Sequence, residues 1–449
     1  MSARAVVLAA GKGTRMKSAR PKVLHELCGR PMLWWVLEAL KSTGVQDVIV
    51  VTNPELDPLM TPFGVRTVVQ EEQLGTGHAV KIALDAMEPC DGRVVVAYGD
   101  MPLVDPSVFE EVQSAVDVAD GVVLALVTAY MPLPSSFGRI IRIGNTVDRI
   151  VEAKDCTPEL LQIDEMNAGI YAFDERALRE TIPLVGNENA QREYYLTDAV
   201  QLVVASGRRV APVPVLDYRT VLGVNDRVEL AAARAIVNRR LCEQHMRAGV
   251  TIVDPATTYL EPGLTIGTDA VIHPNTTLCG STRIGEAAQI GPNTRISDAV
   301  VGARSKIHDS VVASSEIADD VHVGPFAHLR NGTVLASGVH VGNFVEIKKA
   351  RLGERVKAGH LSYLGDATIG ARTNIGAGTI TCNYDGLRKN ETTIGADAFI
   401  GTNSSLVAPL TIGDGALTGA GTVVIHDIDA GDRVAGNPGR SIAKKPAGT

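Results

Sequence analysis

Aromatic side chains are scarce in this chain: 2 Trp, 9 Tyr and 7 Phe among 449 residues. Hydrophobic residues still make up 45%, so there is material for sizeable cores, and those cores must be filled mainly by aliphatics. Cysteine is equally sparse. Cys28, Cys90, Cys156, Cys242, Cys279 and Cys382 show no paired spacing, which excludes a disulfide framework or a cysteine-built zinc site and implies free thiols in a reducing compartment. Long apolar runs are missing too. Nothing approaches the ~20 residues that cross a bilayer, and the run 5–10 is too short for the core of a signal peptide. The expectation is a cytoplasmic protein with no membrane partner. Positive charge is not in excess: 43 Lys and Arg against 51 Asp and Glu leave a net charge of −8 and a pI near 5.7. That argues against nucleic acid as a partner. Anionic small molecules remain possible, because they need only a local cluster of Lys and Arg.

What the chain has in quantity is glycine, 44 residues, and a strict six-residue period. Aliphatics recur at Ile266, Ile272, Leu278, Ile284, Ile290 and Ile296. They recur again at Ile317, Val323, Leu329, Leu335, Val341 and Ile347, then at Ile394, Ile400, Leu406 and Ile412. Helices repeat at 3.6 residues and strands at 2, so neither gives six. A coil of three short parallel strands does, because each flat face sends one aliphatic inward per turn. The C-terminal half is therefore expected to be a parallel β-helix starting near Ile252. Gly267, Gly285, Gly291, Gly324, Gly342, Gly395, Gly401 and Gly413 directly follow aliphatics, where a tight corner would need unusual backbone angles. The period slips between Ile296 and Ile317, and a polar insertion at 382–392 interrupts it; such insertions project as loops that often carry function.

The first half reads differently. Its length and that of the repeat together are about three times the ~150 residues of one average domain. β-rich runs at 5–8, 48–51, 67–69, 94–98, 122–127, 170–173 and 210–214 alternate with helical spacing at 32–42, 78–87, 106–116 and 193–205. Such alternation predicts an α/β layer with a mostly parallel sheet. From Val228 to Ala248 there is no Gly or Pro, which predicts one long helix. The expected division is 1–225, a linker helix 226–248, and 249–449, with a basic tail at Ala443-Lys444-Lys445-Pro446.

Two N-terminal segments carry chemistry. Leu8-Ala9-Ala10-Gly11-Lys12-Gly13-Thr14-Arg15 follows the first strand, with Lys22 seven residues on. Glycines there let backbone N–H groups approach a phosphate, and Arg15 with Lys22 add a cationic clamp. A dinucleotide fingerprint would need a third glycine at Met16, and a P-loop would need Gly-Lys-Ser/Thr, so both fail. Tyr98-Gly99-Asp100 sets an acid just past the carboxyl end of an apolar strand, where open α/β sheets bind ligands, and Asp is a good Mg²⁺ ligand.

Together these segments resemble the sugar-1-phosphate nucleotidyltransferases, with their Rossmann-like α/β nucleotide-binding domain. Gln70-Glu71-Glu72-Gln73-Leu74-Gly75-Thr76-Gly77 resembles the uridine-recognising loop of N-acetylglucosamine-1-phosphate uridylyltransferases. Further matches surround Gly138, Glu152, Asn167 and Asn225. The resemblance implies that Gly138, Glu152 and Asn167 hold the sugar, that Gln70, Gly75 and Thr76 contact uracil and ribose, and that Asp100 and Asn225 hold Mg²⁺. Leu8, Ala9, Ala10, Gly11, Arg15, Lys22, Gln73, Tyr98 and Gly99 complete the implied nucleotide and sugar site. The implied reaction is attack of a sugar phosphate on the α-phosphate of UTP, with pyrophosphate leaving and no protein nucleophile.

In the repeat, Glu346, Lys348, Lys349 and Arg351 lie near an isolated His360, and Arg330, Lys348 and Tyr363 have spacings that stack on neighbouring coils toward it. A purely structural coil has no use for so many charges. These residues closely resemble the acetyltransferase half of the bifunctional enzymes that make UDP-N-acetylglucosamine for bacterial cell walls, and the resemblance runs from Leu8 to about Gly436. It implies that His360 is the general base on glucosamine-1-phosphate, that Arg330 and Lys348 bind its phosphate, and that Tyr363 and Asn374 contact its sugar. It further implies that Ala377, Asn383, Tyr384, Thr402 and Ala420 bind acetyl-CoA, in a homotrimer of left-handed β-helices with the site shared between subunits. Thr402 stands where some members have Ser. Asn437 stands where some have Arg, with Arg440 nearby. A nucleotidyltransferase whose β-helix serves only oligomerisation or regulation is the other reading, and His360, Lys348 and the 383–384 loop speak against it.

Overall fold

The computed structural model describes residues 2–45 and 47–441; the predicted basic tail at 443–446 lies outside them. Two compact units meet at Ile236 and Val237. That boundary falls inside helix α6, Arg227–Arg247, which matches the predicted uninterrupted helix to within a residue at each end.

The first unit is a sheet in the order Arg209–Val215, Val122–Tyr130, Glu165–Asp174, Gly92–Tyr98, Ser2–Leu8, Asp47–Thr52, Arg66–Val69. All seven predicted strands are present. The sheet is mostly parallel along this order but mixed, because Glu165–Asp174 runs antiparallel to both neighbours and carries the antiparallel hairpin Arg139–Ile143/Thr146–Val151. Periodicity along one strand says nothing about the direction of its neighbour, which is why this was invisible in the sequence. The central strands are buried on both faces, as continuous apolar runs require. Ala5, Val7, Val95 and Ala97 face a core filled from helices α1, Met32–Ser42, and α3, Pro106–Ser114. Val6, Leu8, Val94 and Val96 face a core filled from α2, Thr76–Asp85, α4, Glu175–Thr181, and α5, Asp198–Ala205. Helix α3 starts where Asp105 caps the Ser107 N–H at 3.0 Å with Pro106 in the first turn, a start signal written in the sequence.

Helix α5 begins at Asp198, five residues later than the predicted 193. The intervening backbone is engaged elsewhere: Gly77 N–H donates to the Tyr194 carbonyl at 2.7 Å and Leu196 N–H to Thr76 Oγ1 at 3.0 Å. Those bonds tie the segment across to the start of α2, so it cannot coil.

The second unit is the predicted parallel β-helix, from Thr251–Ile252 onward. The six-period aliphatics fill its interior, from Ile272, Leu278, Ile290 and Ile296 through Val323, Leu329 and Val341 to Ile400 and Leu406, all at 0% exposure. Thr265 pairs with Arg283, Arg295 with Val311 and Glu316 with Val334, so one turn is 18 residues, tightens to 16, and returns to 18. That tightening is the slip in the period. Between Asn374 and its partner Phe399 the turn lengthens to 25, which absorbs the insertion at 382–392.

The corner glycines do a different task from the expected one. Gly291 and Gly324 have positive φ, but Gly267, Gly285, Gly342, Gly395, Gly401 and Gly413 do not. A Cβ at Gly267 would meet the Glu286 amide nitrogen at 2.6 Å, and one at Gly285 the Ala303 nitrogen at 2.6 Å. These six glycines let successive coils stack closely. Many left-handed corner positions go instead to Asn and Asp (Asp269, Asn275, Asn293, Asp309), whose short side chains tolerate that conformation.

Candidate functional sites in the two units

In the first unit the site sits where the central strands end. Leu8 and Tyr98 are paired neighbours, so the segments that follow, 9–15 and 99–100, emerge side by side at the carboxyl edge of the sheet. Leu8, Ala9, Ala10, Gly11, Lys22, Gln70, Gln73, Gly75 and Thr76 line a cavity of about 260 Å³. Arg15, Gly138, Glu152, Asn167 and Asn225 line a second, of about 610 Å³. Tyr98 and Asp100 border both. Gly99 lies beneath, where a Cβ would press on Leu33 at 3.0 Å.

The cations converge. Lys22 Nζ pairs with Asp100 Oδ2 and donates to Asn225 Oδ1 at 2.8 Å, and Arg15 Nη2 donates to the same Asn225 oxygen at 2.8 Å. Residues some 200 positions apart are joined because the 222–225 segment returns over the sheet edge, with Val224 N–H on the Asp100 carbonyl at 2.8 Å. Gly223 packs closely there: a Cβ would sit 3.3 Å from Asp100 Oδ1, and that carboxylate would have to shift by a few tenths of an ångström.

The smaller cavity is shaped by Gly75, at φ +115°, where a Cβ would meet the Tyr194 carbonyl oxygen at 2.5 Å. Gln73 Nε2 donates to the Ala10 carbonyl at 2.6 Å, tying this loop to the 9–15 segment. In the larger cavity Asn167 is fixed by donating to Tyr171 OH at 2.7 Å and accepting from Gly169 N–H at 3.0 Å. Burial pushes the Glu152 carboxyl above the ordinary glutamate range, against the Thr197 hydroxyl, which donates to it at 3.1 Å. Burial, with Glu152 and Asp100 nearby, also raises the Tyr98 phenol, keeping it neutral. Thr197 escaped sequence reasoning, and Gly169 and Gly223, which lie in the matches around Asn167 and Asn225, were given no role. Their neighbours in space are distant in the chain, and no spacing marks them.

In the second unit the pairing places Asn343 beside His360, and Ala358 beside Ile375. Continued by the pairs Ile375–Ile400 and Phe399–Leu417, the register aligns Asn343, His360, Ala377, Thr402 and Ala420 in one column up successive coils. Backbone bonds knit it, with Asn403 N–H on the Ala377 carbonyl at 2.7 Å and Gly421 N–H on the Thr402 carbonyl at 2.7 Å. The intervals are 17, 17, 25 and 18 residues, so no fixed period in the sequence reveals the column. His360 Nδ1 lies 2.6 Å from Asn343 Oδ1. The amide oxygen only accepts, so Nδ1 is the donor in this contact, and in the neutral ring the lone pair is then on Nε2.

The predicted stack onto His360 forms in part. Arg330 stacks on Lys348, its N–H bonded to the Ile347 carbonyl at 2.8 Å, and Lys348 pairs with Gly365. Tyr363 stacks on Glu346 instead, and its hydroxyl accepts from Asn383 Nδ2 at 3.4 Å. His360 lies across the corner, on another face, with Asn343 as its partner. Asn374 stands on the His360 face, three residues before Ala377. The Lys389 ammonium, in contact with Lys348, pushes Lys348 below the ordinary lysine range, and Arg330 adds to this. Arg330 is already paired with the Glu346 carboxylate at 2.6 Å, so Lys348 and Lys389 form the cationic pair that favours an anion. Lys389, inside the insertion at 382–392, Asp366 (which accepts from Asn383) and Asn343 were given no role, since loop folding and an odd coil length bring them in. Tyr384 lies on the 383–390 loop, its hydroxyl on the Gly386 carbonyl at 2.7 Å.

None of the six cysteines forms a disulfide. Among the described residues no helix is long and apolar enough to cross a membrane.

An open α/β cleft with converging cations in one unit and a six-residue-repeat prism with a histidine column in the other define a two-site transferase: a nucleotidyltransferase fused to a hexapeptide-repeat acyltransferase. Residues 5–181 match the MobA-like NTP transferase domain, and residues 256–353 the GMPPB C-terminal domain. The chain is 47% identical to the bifunctional protein GlmU of Carboxydothermus hydrogenoformans, over 94% of its own length and 95% of the relative's. It is 46% identical to that of Trichlorobacter lovleyi, over 94% and 93%, and 48% identical to that of Thermotoga petrophila, over 95% and 94%. The chain belongs to the GlmU family of bifunctional proteins. It is accordingly an N-acetylglucosamine-1-phosphate uridylyltransferase and a glucosamine-1-phosphate N-acetyltransferase in one polypeptide.

Proposed function

We propose that residues 1–225 perform uridylyl transfer and 249–449 acetyl transfer, with 226–248 as the linker helix. The observation that carries the first half is that Tyr98 and Asp100 border both cavities. UTP takes the smaller, with Gln70, Gln73, Gly75 and Thr76 toward base and ribose and Leu8, Ala9, Ala10 and Gly11 along the phosphates. N-acetylglucosamine-1-phosphate takes the larger, held by Gly138, Glu152 and Asn167. Its phosphate oxygen then meets the α-phosphorus at the shared border, and the bond to pyrophosphate breaks. Two anions must approach, so Arg15 and Lys22 lower the barrier by neutralising charge. The Asp100 carboxylate and Asn225 amide oxygen both converge on the Lys22 ammonium. Two hard oxygens aimed at one positive centre are the donor type Mg²⁺ prefers, so Asp100 and Asn225 would hold the ion, which would supply charge neutralisation at the phosphates.

In the second half, His360 Nε2 takes a proton from the amino nitrogen of glucosamine-1-phosphate. The freed lone pair attacks the thioester carbonyl of acetyl-CoA, and coenzyme A leaves as the thiol. Arg330 and Lys348 hold the sugar phosphate, and Tyr363 and Asn374 the ring. The coenzyme lies along the column Ala377, Thr402, Ala420, capped by Asn383 and Tyr384. Where some relatives have Arg, this chain has Asn437. Arg440, on the strand pairing with Ala435, supplies the cation.

The site needs a second and third copy of the chain. One residue past the His360 column run Phe326, Phe344 and Leu361, exposed at 58%, 56% and 63% and all in the left-handed conformation (φ 58°, 57° and 50°). Bulky side chains rarely accept that conformation. Phe326 and Phe344 stack at 5.3 Å, where earlier coils use Asn and Asp. An apolar ridge beside the site supports a homotrimer of left-handed β-helices, and the free thiols support a cytoplasmic location. The test is incubation with glucosamine-1-phosphate, acetyl-CoA, UTP and Mg²⁺. Release of both coenzyme A and pyrophosphate is expected; pyrophosphate release from N-acetylglucosamine-1-phosphate without acetyl transfer would reduce the β-helix to a scaffold.

A further inference from the structure

We infer that His78 is a positioning residue for base selection: together with the Gly75 carbonyl it holds the Gln70 amide with its oxygen toward the nucleobase, and so makes the site choose uracil over cytosine. The inference rests on the proposed role of Gln70 at the base.

Gln70 is 97% buried, yet it borders the smaller cavity. Its amide nitrogen has two hydrogens, and both are engaged. One is directed at the Gly75 carbonyl, 3.1 Å away, and the other at His78 Nδ1, also at 3.1 Å. A carbonyl oxygen only accepts. The amide group therefore cannot turn over without setting two oxygens against each other. With the nitrogen so committed, Oε1 is the atom left to meet the base. Uracil carries a hydrogen on N3 and cytosine carries a lone pair there, so an oxygen at that point accepts from uracil and repels cytosine.

The Gly75 carbonyl sets which end of the amide points inward, and with two lone pairs it also serves as the first acceptor of α2, taking the Ala79 N–H at 3.2 Å. His78 is the second acceptor, and it keeps the amide plane from swinging away. Facing a donor, Nδ1 must be the acceptor, which fixes the tautomer with its hydrogen on Nε2. The ring is held in place by the first turn of α2 and by Tyr194, whose ring centroid lies 6.4 Å away. Nothing in this requires His78 to touch the substrate.

The experiment compares kcat/KM for UTP and CTP in the full-length protein with N-acetylglucosamine-1-phosphate. His78→Ala and His78→Leu remove the acceptor, so the UTP:CTP preference should fall by roughly tenfold or more, the scale of losing one oriented hydrogen bond. His78→Asn places an amide oxygen where Nδ1 stood and should restore the preference. A merely structural role would lower both substrates together and would not be rescued by Asn. Unchanged preference in His78→Ala, or loss that Asn does not rescue, overturns the inference. If the two apolar variants do not fold, His78→Asn decides: a retained preference is expected, and a collapsed one overturns the proposal. Gln70→Ala separates the layers. If that variant keeps the preference, the reading of Gln70 at the base has failed. If it loses the preference while His78→Ala does not, only the orienting role has failed.

Discussion

At the scale of single residues, Asp100 is held by Lys22 on one side and lies against Gly223 on the other. Asp100→Asn keeps this shape and removes the charge. Uridylyl transfer should drop by ~10²–10³-fold, as for loss of a strong electrostatic contributor, while acetyl transfer stays at the wild-type rate; separate assays of the two products check this. His360→Ala should lower acetyl transfer by ~10²–10⁴-fold, the span for a positioned general base, and leave uridylyl transfer intact. Steady-state rates with and without the histidine decide it, and a wild-type acetylation rate in the variant would sink the assignment. Glu152 gives a pH signature. Burial raises its folded-state value above the ordinary one of 4.5, so the ionised carboxylate costs stability at neutral pH and nothing below the unfolded glutamate range. Glu152→Gln should therefore melt higher than the parent at pH 7. That advantage should vanish as the pH is lowered through the folded and then the unfolded value. A thermal-melting series against pH would show it.

At the scale of elements, strands, helices and coils were largely legible, because each leaves a periodicity in the sequence. What each glycine does was less legible. A Cβ at Gly342 would overlap the Gly359 carbonyl on the next coil, whereas one at Gly11 meets nothing within 4 Å. Gly342→Ala should cost about 1–3 kcal/mol in chemical denaturation, as overpacking does. Gly11→Ala should leave stability unchanged and raise KM for UTP, because the added methyl faces the phosphates. The late start of α5 teaches the same lesson. Residues 193–197 have helical spacing, but their backbone groups are committed to α2 and their Thr197 hydroxyl to Glu152.

At the scale of the whole molecule, each unit has its own core, and the proposed trimer would form through the second. Replacing Phe326 and Phe344 by Ser should yield monomers in sedimentation, with acetyl transfer lost by at least ~10²-fold and uridylyl transfer preserved. Trimers with full acetyl transfer would remove the ridge from the interface.

The order of elements, the six-residue core of the prism and the choice of Arg15 and Lys22 as candidate cations follow from the sequence alone, because burial periodicity and charge type are local properties. The antiparallel central strand, the column from Asn343 to Ala420 and the meeting of Arg15, Lys22 and Asp100 with Asn225 were decided only in three dimensions. Strand direction, coil length and loop return join residues 17 to 210 positions apart, and a pattern read along one segment has no information about the partner it will meet.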